Sequence, residues 1–400
     1  MMHNNRQPVM AMAMAADAQQ RTGNSESPAR ILAIRLDNLG DVIMLGPALR
    51  AVKAAVPKAR ITLLCAPAGA QVAPLLPWVD DLLVHRAIWQ DASGAMPLDP
   101  VREMAFIETL RAGQYDAALI FTSFSQSPYP PAMACYLAGI PVRIGQSREF
   151  GGSLLSQWVQ PLPDAAHQTD RNLHLVNAAG YAPQGAHLEL HVPDATTHAA
   201  DDLLRSVGIA PEEPFALLAP GASAAARRYD PARFADVAHE FIAATGWPVV
   251  VVGSARDGER MGPVLDLAAT HPMVRSLVGE TDVPTLVALI ARAGIVFAND
   301  SGPMHMADAL RRPMVILYSG TEHESQWAPR FAPSVLLREP THCTPCHRFV
   351  CPYHMECLDI APARVVDAAL QLLGQTAGDG ERLATKSPSH QVGIETRARI

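Results

Sequence analysis

Short apolar runs alternate along this chain with stretches in which apolar residues return every three or four positions. The runs at 31–36, 61–65, 81–84, 115–122 and 142–145 read as strands. The segments 42–56, 101–110 and 131–137 carry helical spacing. Strands that are apolar almost throughout, with a helix between each pair, predict a parallel sheet covered on both faces. Residues 146–168 break the rhythm and read as loop. A helix is expected over 172–179, a short strand over 188–192, and a helix over 194–207 ending at the turn 210–213. The alternation then restarts, with strands at 215–218, 249–252, 276–278, 295–298 and 314–318. Helices are expected at 231–244, 257–269 and 283–292, the last capped by Thr281 or Asp282, and a closing amphipathic helix at 363–373. The pattern predicts two doubly wound α/β domains: 30–200, which restarts as 201–374, with the boundary between about 193 and 214. Residues 1–29 and 375–400 are polar or Ala/Met-rich and read as a disordered extension and tail.

Composition narrows the class. At 400 residues, 49% hydrophobic and 18% charged, the chain suits two compact domains. A formal net charge of −7 argues against a nucleic-acid partner. No stretch approaches the ~20 apolar residues of a membrane helix. Residues 9–16 are too short, and too poor in Leu, Ile and Phe, for a secretory signal. Of six cysteines, Cys65 and Cys135 lie in apolar runs and read as core thiols. The others, Cys343, Cys346, Cys351 and Cys357, cluster without resembling a disulfide scaffold. Their spacing permits a structural zinc site, with His342, His347 and His354 as substitute ligands. Reduced thiols packing a loop are the other reading.

The chemistry concentrates in two loops. Asn299-Asp300-Ser301-Gly302-Pro303-Met304-His305 follows an apolar strand and opens a helix. A strand that turns into a helix presents unpaired backbone N–H groups, which attract phosphate. Ser301 is a natural N-cap, Gly302 lets a ligand approach, and Pro303 suits the first turn. Asp300 and His305 stand beside that anion site as groups able to hold a sugar. In the first half, Asp37-Asn38-Leu39-Gly40-Asp41 also joins a strand to a helix. Gly40 permits close approach. Asp41 is either an N-cap or a general base for an acceptor hydroxyl. The pattern G-x-G-x-x-G is absent from this loop, which speaks against an NAD-binding domain.

Further polar groups fall at the same sheet edges. Pro220-Gly221-Ala222-Ser223 leads to Arg227 and Arg228, a pair able to neutralise a diphosphate. Ser319-Gly320-Thr321-Glu322 follows the last strand. Thr321 and Glu322 read either as contacts to nucleoside or sugar or as turn residues. Arg143, Arg148 and Arg171 are candidates for acceptor phosphates, or ordinary surface charges.

Taken together, these residues resemble glycosyltransferase family 9, the ADP-heptose:lipopolysaccharide heptosyltransferases and their relatives, over roughly 31–373. Leu39-Gly40-Asp41-Val42-Ile43 matches the first family motif and Asn299 to Leu310 the strongest one, with Met306 and Asp308 as departures. Pro220-Gly221-Ala222-Ser223 with Arg227-Arg228-Tyr229, and Ser319-Gly320-Thr321 with Trp327-Ala328-Pro329, match two others. The resemblance implies a GT-B fold, two Rossmann-like domains facing across a cleft, with the donor held mainly by the second. It implies inverting, metal-independent transfer of a heptose or similar sugar from an ADP-sugar, with no cofactor. The expected acceptor is a lipopolysaccharide core or other lipid-linked glycan, met at the inner face of the cytoplasmic membrane by a cytoplasmic, peripheral enzyme. Asp41 matches the catalytic base. Ser223, Arg227, Arg228, Asp300, Ser301, Gly302, His305, Thr321 and Glu322 fall on the donor side. Gly40, Arg143 and Arg148 fall on the acceptor side. Arg227 stands where the family usually has lysine, and Tyr229 where it has tryptophan. The closing helix is expected to pack across the domain junction, and the cysteine block recurs in some relatives. Two further readings suit the same architecture: a nucleotide-sugar 2-epimerase, which needs more acid/base carboxylates, and a non-catalytic sugar-nucleotide-binding relative.

Overall fold

The computed structural model describes residues 29–384, apart from 92, 124, 125 and 211. The extension 1–29, save its last residue, and the tail from 385 onward lie outside the described residues.

Two parallel six-stranded sheets form the frame. The first contains β1 (Arg30–Arg35), β2 (Arg60–Cys65), β3 (Asp81–Val84), β4 (Ala117–Ile120), β5 (Val142–Gln146) and β6 (Gln157–Val159). Their spatial order is β3-β2-β1-β4-β5-β6. The second contains β7 (Ala216–Ala219), β8 (Val249–Val251), β9 (Val274–Ser276), β10 (Ile295–Asn299), β11 (Met314–Leu317) and β12 (Ser334–Leu337). Read from the β9 edge, its order is β9-β8-β7-β10-β11-β12, the same winding repeated. The strand order reverses between β1 and β4, where Ile31 pairs both Ile61 and Ala117. It reverses again between β7 and β10. At such switch points the outgoing loops diverge and leave a crevice for a ligand. This is the GT-B arrangement expected from the family resemblance.

The side-chain alternation of each central strand explains its continuous apolar run. Ile31 and Ala33 point into one core cluster, Leu32 and Ile34 into another. In β7, Leu217 and Ala219 join the cluster that holds Ile31 and Ala33, while Ala216 and Leu218 face a third. One apolar cluster therefore runs through both halves. A second tie is Arg330, which forms a paired contact of 2.7 and 2.6 Å with Asp170 on the helix Gln168–Ala178.

Several elements differ from the sequence expectation. The 42–56 helix is two, Leu39–Ile43 and Gly46–Ala55, because Pro47 restarts the turn. The 257–269 helix is likewise two, Ala255–Gly258 and Gly262–Thr270, with Pro263 opening the second. Residues 188–192 form no strand; the His191 N–H bonds the Leu75 carbonyl instead. The short edge strands β6 and β12 fall where no strand was expected. The helix Asp194–Ser206 packs on Val283–Arg292 of the second half. The closing helix, Pro362–Ala384, extends past the expected tail boundary at 374. Among the described residues, Val365, Val366, Ala369 and Leu372 complete the outer core of the second sheet, against Pro231–Thr245, β11 and β12, where a place across the junction was expected.

Candidate active site

Both switch points open onto one cavity of about 930 Å³. The first half supplies the loop after β1, with Asp37, Gly40 and Asp41, and Ser123 and Gln126 after β4. The second supplies Ser223, Arg227 and Arg228 after β7, Asp300, Ser301, Gly302 and His305 after β10, and Glu322 after β11.

Asp41 is not the N-cap of its helix. Asn38 holds that place, and Asp41 is the third residue of Leu39–Ile43, reaching back so that Oδ2 accepts from the Asn38 N–H at 3.1 Å. Its Oδ1 accepts from Arg35 Nη2 at 2.6 Å and from the Ser123 hydroxyl at 3.4 Å. Arg35 closes β1 fully buried, with Nε 3.0 Å from Asp37 Oδ2. Burial opposes its charge, but Asp37 and Asp41 outweigh that and raise its pKa. Burial pushes Asp37 above the usual carboxylate range, with Asp41 adding to it against the pull of Arg35. Arg35, Asp37, Ser123 and Gln126 were not singled out from sequence. An arginine closing an otherwise apolar strand was the available signal.

In the second half, Asn299 stitches the two switch-point loops together. Its Nδ2 donates to the Pro220 carbonyl at 2.6 Å and its Oδ1 accepts from the Tyr229 N–H at 3.0 Å. Tyr229, standing for tryptophan, is buried against Phe234 and donates its hydroxyl to the Ile360 carbonyl at 2.6 Å. Arg227 is thereby held beside Asp300. Its Nη2 is 2.9 Å from Glu322 Oε1, its Nε donates to Thr321 Oγ1 at 3.1 Å, and Asp300 Oδ2 lies 3.9 Å away. Burial opposes the Arg227 charge, but Asp300 and Glu322 outweigh it, so the guanidinium stays protonated. Thr321 is buried and braces Arg227, and is not among the residues lining the cavity. Arg228 lies alongside, its donors on the carbonyls of Ala222 and Ser223.

Ser301 precedes the helix Gly302–Ala309 in extended conformation. Its hydroxyl contacts the Asn299 carbonyl at 3.3 Å and does not cap the helix; Pro303 has no N–H and the Met304 N–H bonds the Ser301 carbonyl at 3.0 Å, so the Gly302 N–H is the first-turn donor left for an anion. The departure at Asp308 has its own purpose: its carboxylate accepts from the N–H groups of Phe331 and Ala332 at 2.8 and 2.9 Å, fixing that loop.

The helices Leu39–Ile43 and Gly302–Ala309 meet across the cleft. A Cβ on Gly40 would lie 2.5 Å from His305 Cδ2, so only glycine permits this approach. Gly40→Ala is expected to push the halves apart, destabilising the fold by roughly 1–3 kcal/mol and lowering kcat; a melting curve and steady-state kinetics read the two effects. His305 is pushed down to about 4, first by burial, and is neutral at neutral pH although Asp41 and Asp308 oppose the shift.

Asp300 is 3% exposed, and its Oδ2 has no hydrogen-bond partner within the protein. Burial raises its pKa to about 6; Arg227 opposes the shift, while Glu322 and Asp41 add to it. Its folded value exceeds its unfolded one, so its contribution to stability is full below about pH 4 and is lost as pH rises through about 6. The melting temperature of Asp300→Asn is therefore expected to fall less between pH 4 and 7 than that of the parent, as calorimetry across that range would read.

The acceptor-side arginines fare differently. Arg143 is a correction: it is buried, its guanidinium bonded to the carbonyls of Leu154, Ile140, Pro141 and Ser153, and it fixes a loop instead of facing a ligand. Arg148 is exposed, pairs with Asp164 at 2.9 Å and does not line the cavity. Arg171 is buried, and its backbone carbonyl accepts from Gln146.

The four thiols of the cysteine block are neighbours, since Cys343, Cys346 and Cys351 all bear on Cys357, whose pKa is raised first by burial. Cys343 is exposed, the other three are half-buried, and all four are free thiols. Among the described residues, no group of three or more His, Cys, Asp or Glu side chains is arranged to hold a metal ion. The loop instead packs on the donor side: the Cys346 N–H bonds the Gly320 carbonyl at 3.0 Å and the His347 N–H that of Thr321 at 2.9 Å. This brings His347 and Phe349 to the cavity wall, a contribution that cysteine spacing did not signal. No helix among the described residues is long and apolar enough to cross a membrane.

Known proteins share this sequence pattern and fold. The family model for glycosyltransferase family 9 (heptosyltransferase) matches residues 103–355. Lipopolysaccharide heptosyltransferase 2 of Escherichia coli (strain K12) is 30% identical over 366 residues, covering 86% of this chain and 99% of that protein. The homologue of the same name from Salmonella typhimurium is 30% identical over 367 residues, with the same coverage. The solved structure of E. coli ADP-heptose lps heptosyltransferase II superposes with a TM-score of 0.68 at 25% identity, covering 87% of this chain and 99% of that one. A family 9 glycosyltransferase from Veillonella parvula shares the fold, with a TM-score of 0.70 at 20% identity over 88% of this chain and 99% of that one.

Proposed function

Because the chain belongs to glycosyltransferase family 9, we propose that this glycosyltransferase moves a heptose from ADP-heptose to a lipopolysaccharide-core acceptor. The observation that carries the proposal is the opposition of Asp41 on one half to Arg227, Asp300 and the Gly302 helix start on the other, across one cavity. The diphosphate sits at that helix start, with Arg227 and Arg228 neutralising the charge that builds on ADP as it leaves. Asp300 accepts from a sugar hydroxyl with its unpartnered oxygen. The acceptor hydroxyl attacks the anomeric carbon opposite the departing phosphate oxygen. Its proton passes to Asp41, the bond to ADP breaks, and the anomeric configuration inverts. Two guanidiniums and a helix N-terminus meet the pyrophosphate charge, so the step calls for no metal. A lipid-linked acceptor sets the reaction at the inner face of the cytoplasmic membrane, with the protein bound peripherally.

Family membership favours transfer over epimerisation. The test is incubation with ADP-heptose and lipopolysaccharide lacking the outer inner-core heptose, followed by mass spectrometry. Gain of one heptose residue, with ADP released only when acceptor is present, supports the proposal. Absence of gain with active donor and several truncated acceptors would overturn it, and conversion of a UDP-sugar alone would replace it with the epimerase reading.

A further inference from the structure

We propose that Arg35 is a positioning residue that holds the Asp41 carboxylate aimed into the cleft and stands as the counter-charge between it and the carboxylate of Asp37. The inference rests on the reading of Asp41 as the base and goes beyond it. Arg35 is the last residue of β1, fully buried, and its guanidinium stands between two acids, with Nη2 2.6 Å from Asp41 Oδ1 and Nε 3.0 Å from Asp37 Oδ2. The same Nη2 reaches the Ser123 hydroxyl at 2.8 Å, which ties the loop after β1 to the loop after β4.

Asp37 and Asp41 both line the cavity, and Asp41 bears on the titration of Asp37. Both acids contact the one buried guanidinium, so Arg35 is the counter-charge they share. The other charged and titratable groups facing Asp41 come from the second half. Asp300 adds repulsion, Arg227 attracts, and His305 is neutral. Arg227 is itself held by Glu322 and Asp300, so Arg35 is the guanidinium in direct contact with Asp41. Fixing Asp41 Oδ1 on Arg35 and Oδ2 on the Asn38 N–H also fixes the carboxylate plane relative to the cleft.

Without Arg35, Asp37 and Asp41 would compete for one proton. The acid limb of the kcat profile would then move to higher pH, because the base must lose that proton before it can accept another. The experiment compares pH profiles of transfer for the full chain carrying Arg35→Gln, Arg35→Lys or Arg35→Gln with Asp37→Asn. For Arg35→Gln the expected result is an upward move of the acid limb by about one pH unit or more, with donor KM within about twofold. Arg35→Lys should show a smaller move in the same direction. Adding Asp37→Asn should return the limb toward its original position. A uniform loss of kcat at every pH, with the limb unmoved in Arg35→Gln and Arg35→Lys, would overturn the inference and leave Arg35 a merely structural ion pair. If Arg35→Gln fails to fold by circular dichroism, Arg35→Lys decides on the same criterion. Asp41→Asn separates this inference from the one beneath it. Retained turnover there removes the base assignment itself. An inactive Asp41→Asn beside an unmoved limb removes only the role given to Arg35.

Discussion

Asp41→Asn is expected to lower kcat by about 10²–10⁴-fold, the usual worth of a positioned general base, while leaving ADP affinity within about twofold. The separation follows from the architecture. Asp41 belongs to the first half, and the groups assigned to the diphosphate belong to the second. Asparagine preserves the shape of the side chain and can still meet the Asn38 N–H, so the helix Leu39–Ile43 should keep its start. Steady-state kinetics with saturating donor, beside calorimetric titration of ADP, read the two quantities independently. Turnover near the parent rate would show that another group takes the proton. A parallel loss of ADP binding would show that the carboxylate shapes the donor site instead.

Arg227→Ala is the second large effect. Charge-assisted hydrogen bonds are worth about 1.5–3 kcal/mol each, so ADP affinity should fall about 10- to 100-fold. The substitution also leaves Asp300 and Glu322 facing one another without their shared cation. The melting temperature of the unliganded protein should therefore drop at neutral pH and recover partly as pH falls toward 5, where Asp300 takes up its proton. Arg227→Lys should retain part of the affinity, since lysine keeps the charge and loses the fork that reaches Thr321 and Glu322 together. An unchanged ADP affinity in Arg227→Ala would place the diphosphate elsewhere.

Much of this molecule was legible because its central strands are buried on both faces. β1, β2, β7, β10 and β11 are short apolar runs bounded by polar loops, and such runs have few other uses. The edge strands are short and largely half-exposed: β6 has three residues, one of them polar, and β12, though apolar at Val335, Leu336 and Leu337, has four. Pro47 and Pro263 split two helices whose apolar spacing ran on across the break, so periodicity masked a backbone constraint.

In the site, legibility followed local geometry. Gly40, Asp41, Asp300, Ser301, Gly302 and His305 lie on strand-to-helix loops, where sequence order and spatial proximity coincide. Arg35 lies six residues before Asp41, at the end of β1, whereas Ser123 follows β4 and reaches Asp41 only because β1 pairs with β4. Arg143 misled because an arginine on a short strand next to a loop looks solvent-facing, whereas the fold surrounds it with four backbone carbonyls. The cysteine spacing did bring four thiols near one another, but among the described residues they are not arranged to hold a metal ion.

The most direct measurement is a crystal structure of the protein with ADP bound. The diphosphate should lie at the start of Gly302–Ala309, within hydrogen-bond distance of the Arg227 guanidinium, with its outer phosphate turned toward Asp41. A diphosphate seated away from Arg227 and Ser301, or with Asp41 screened from it by packed side chains, would contradict the proposed clasp between the two halves.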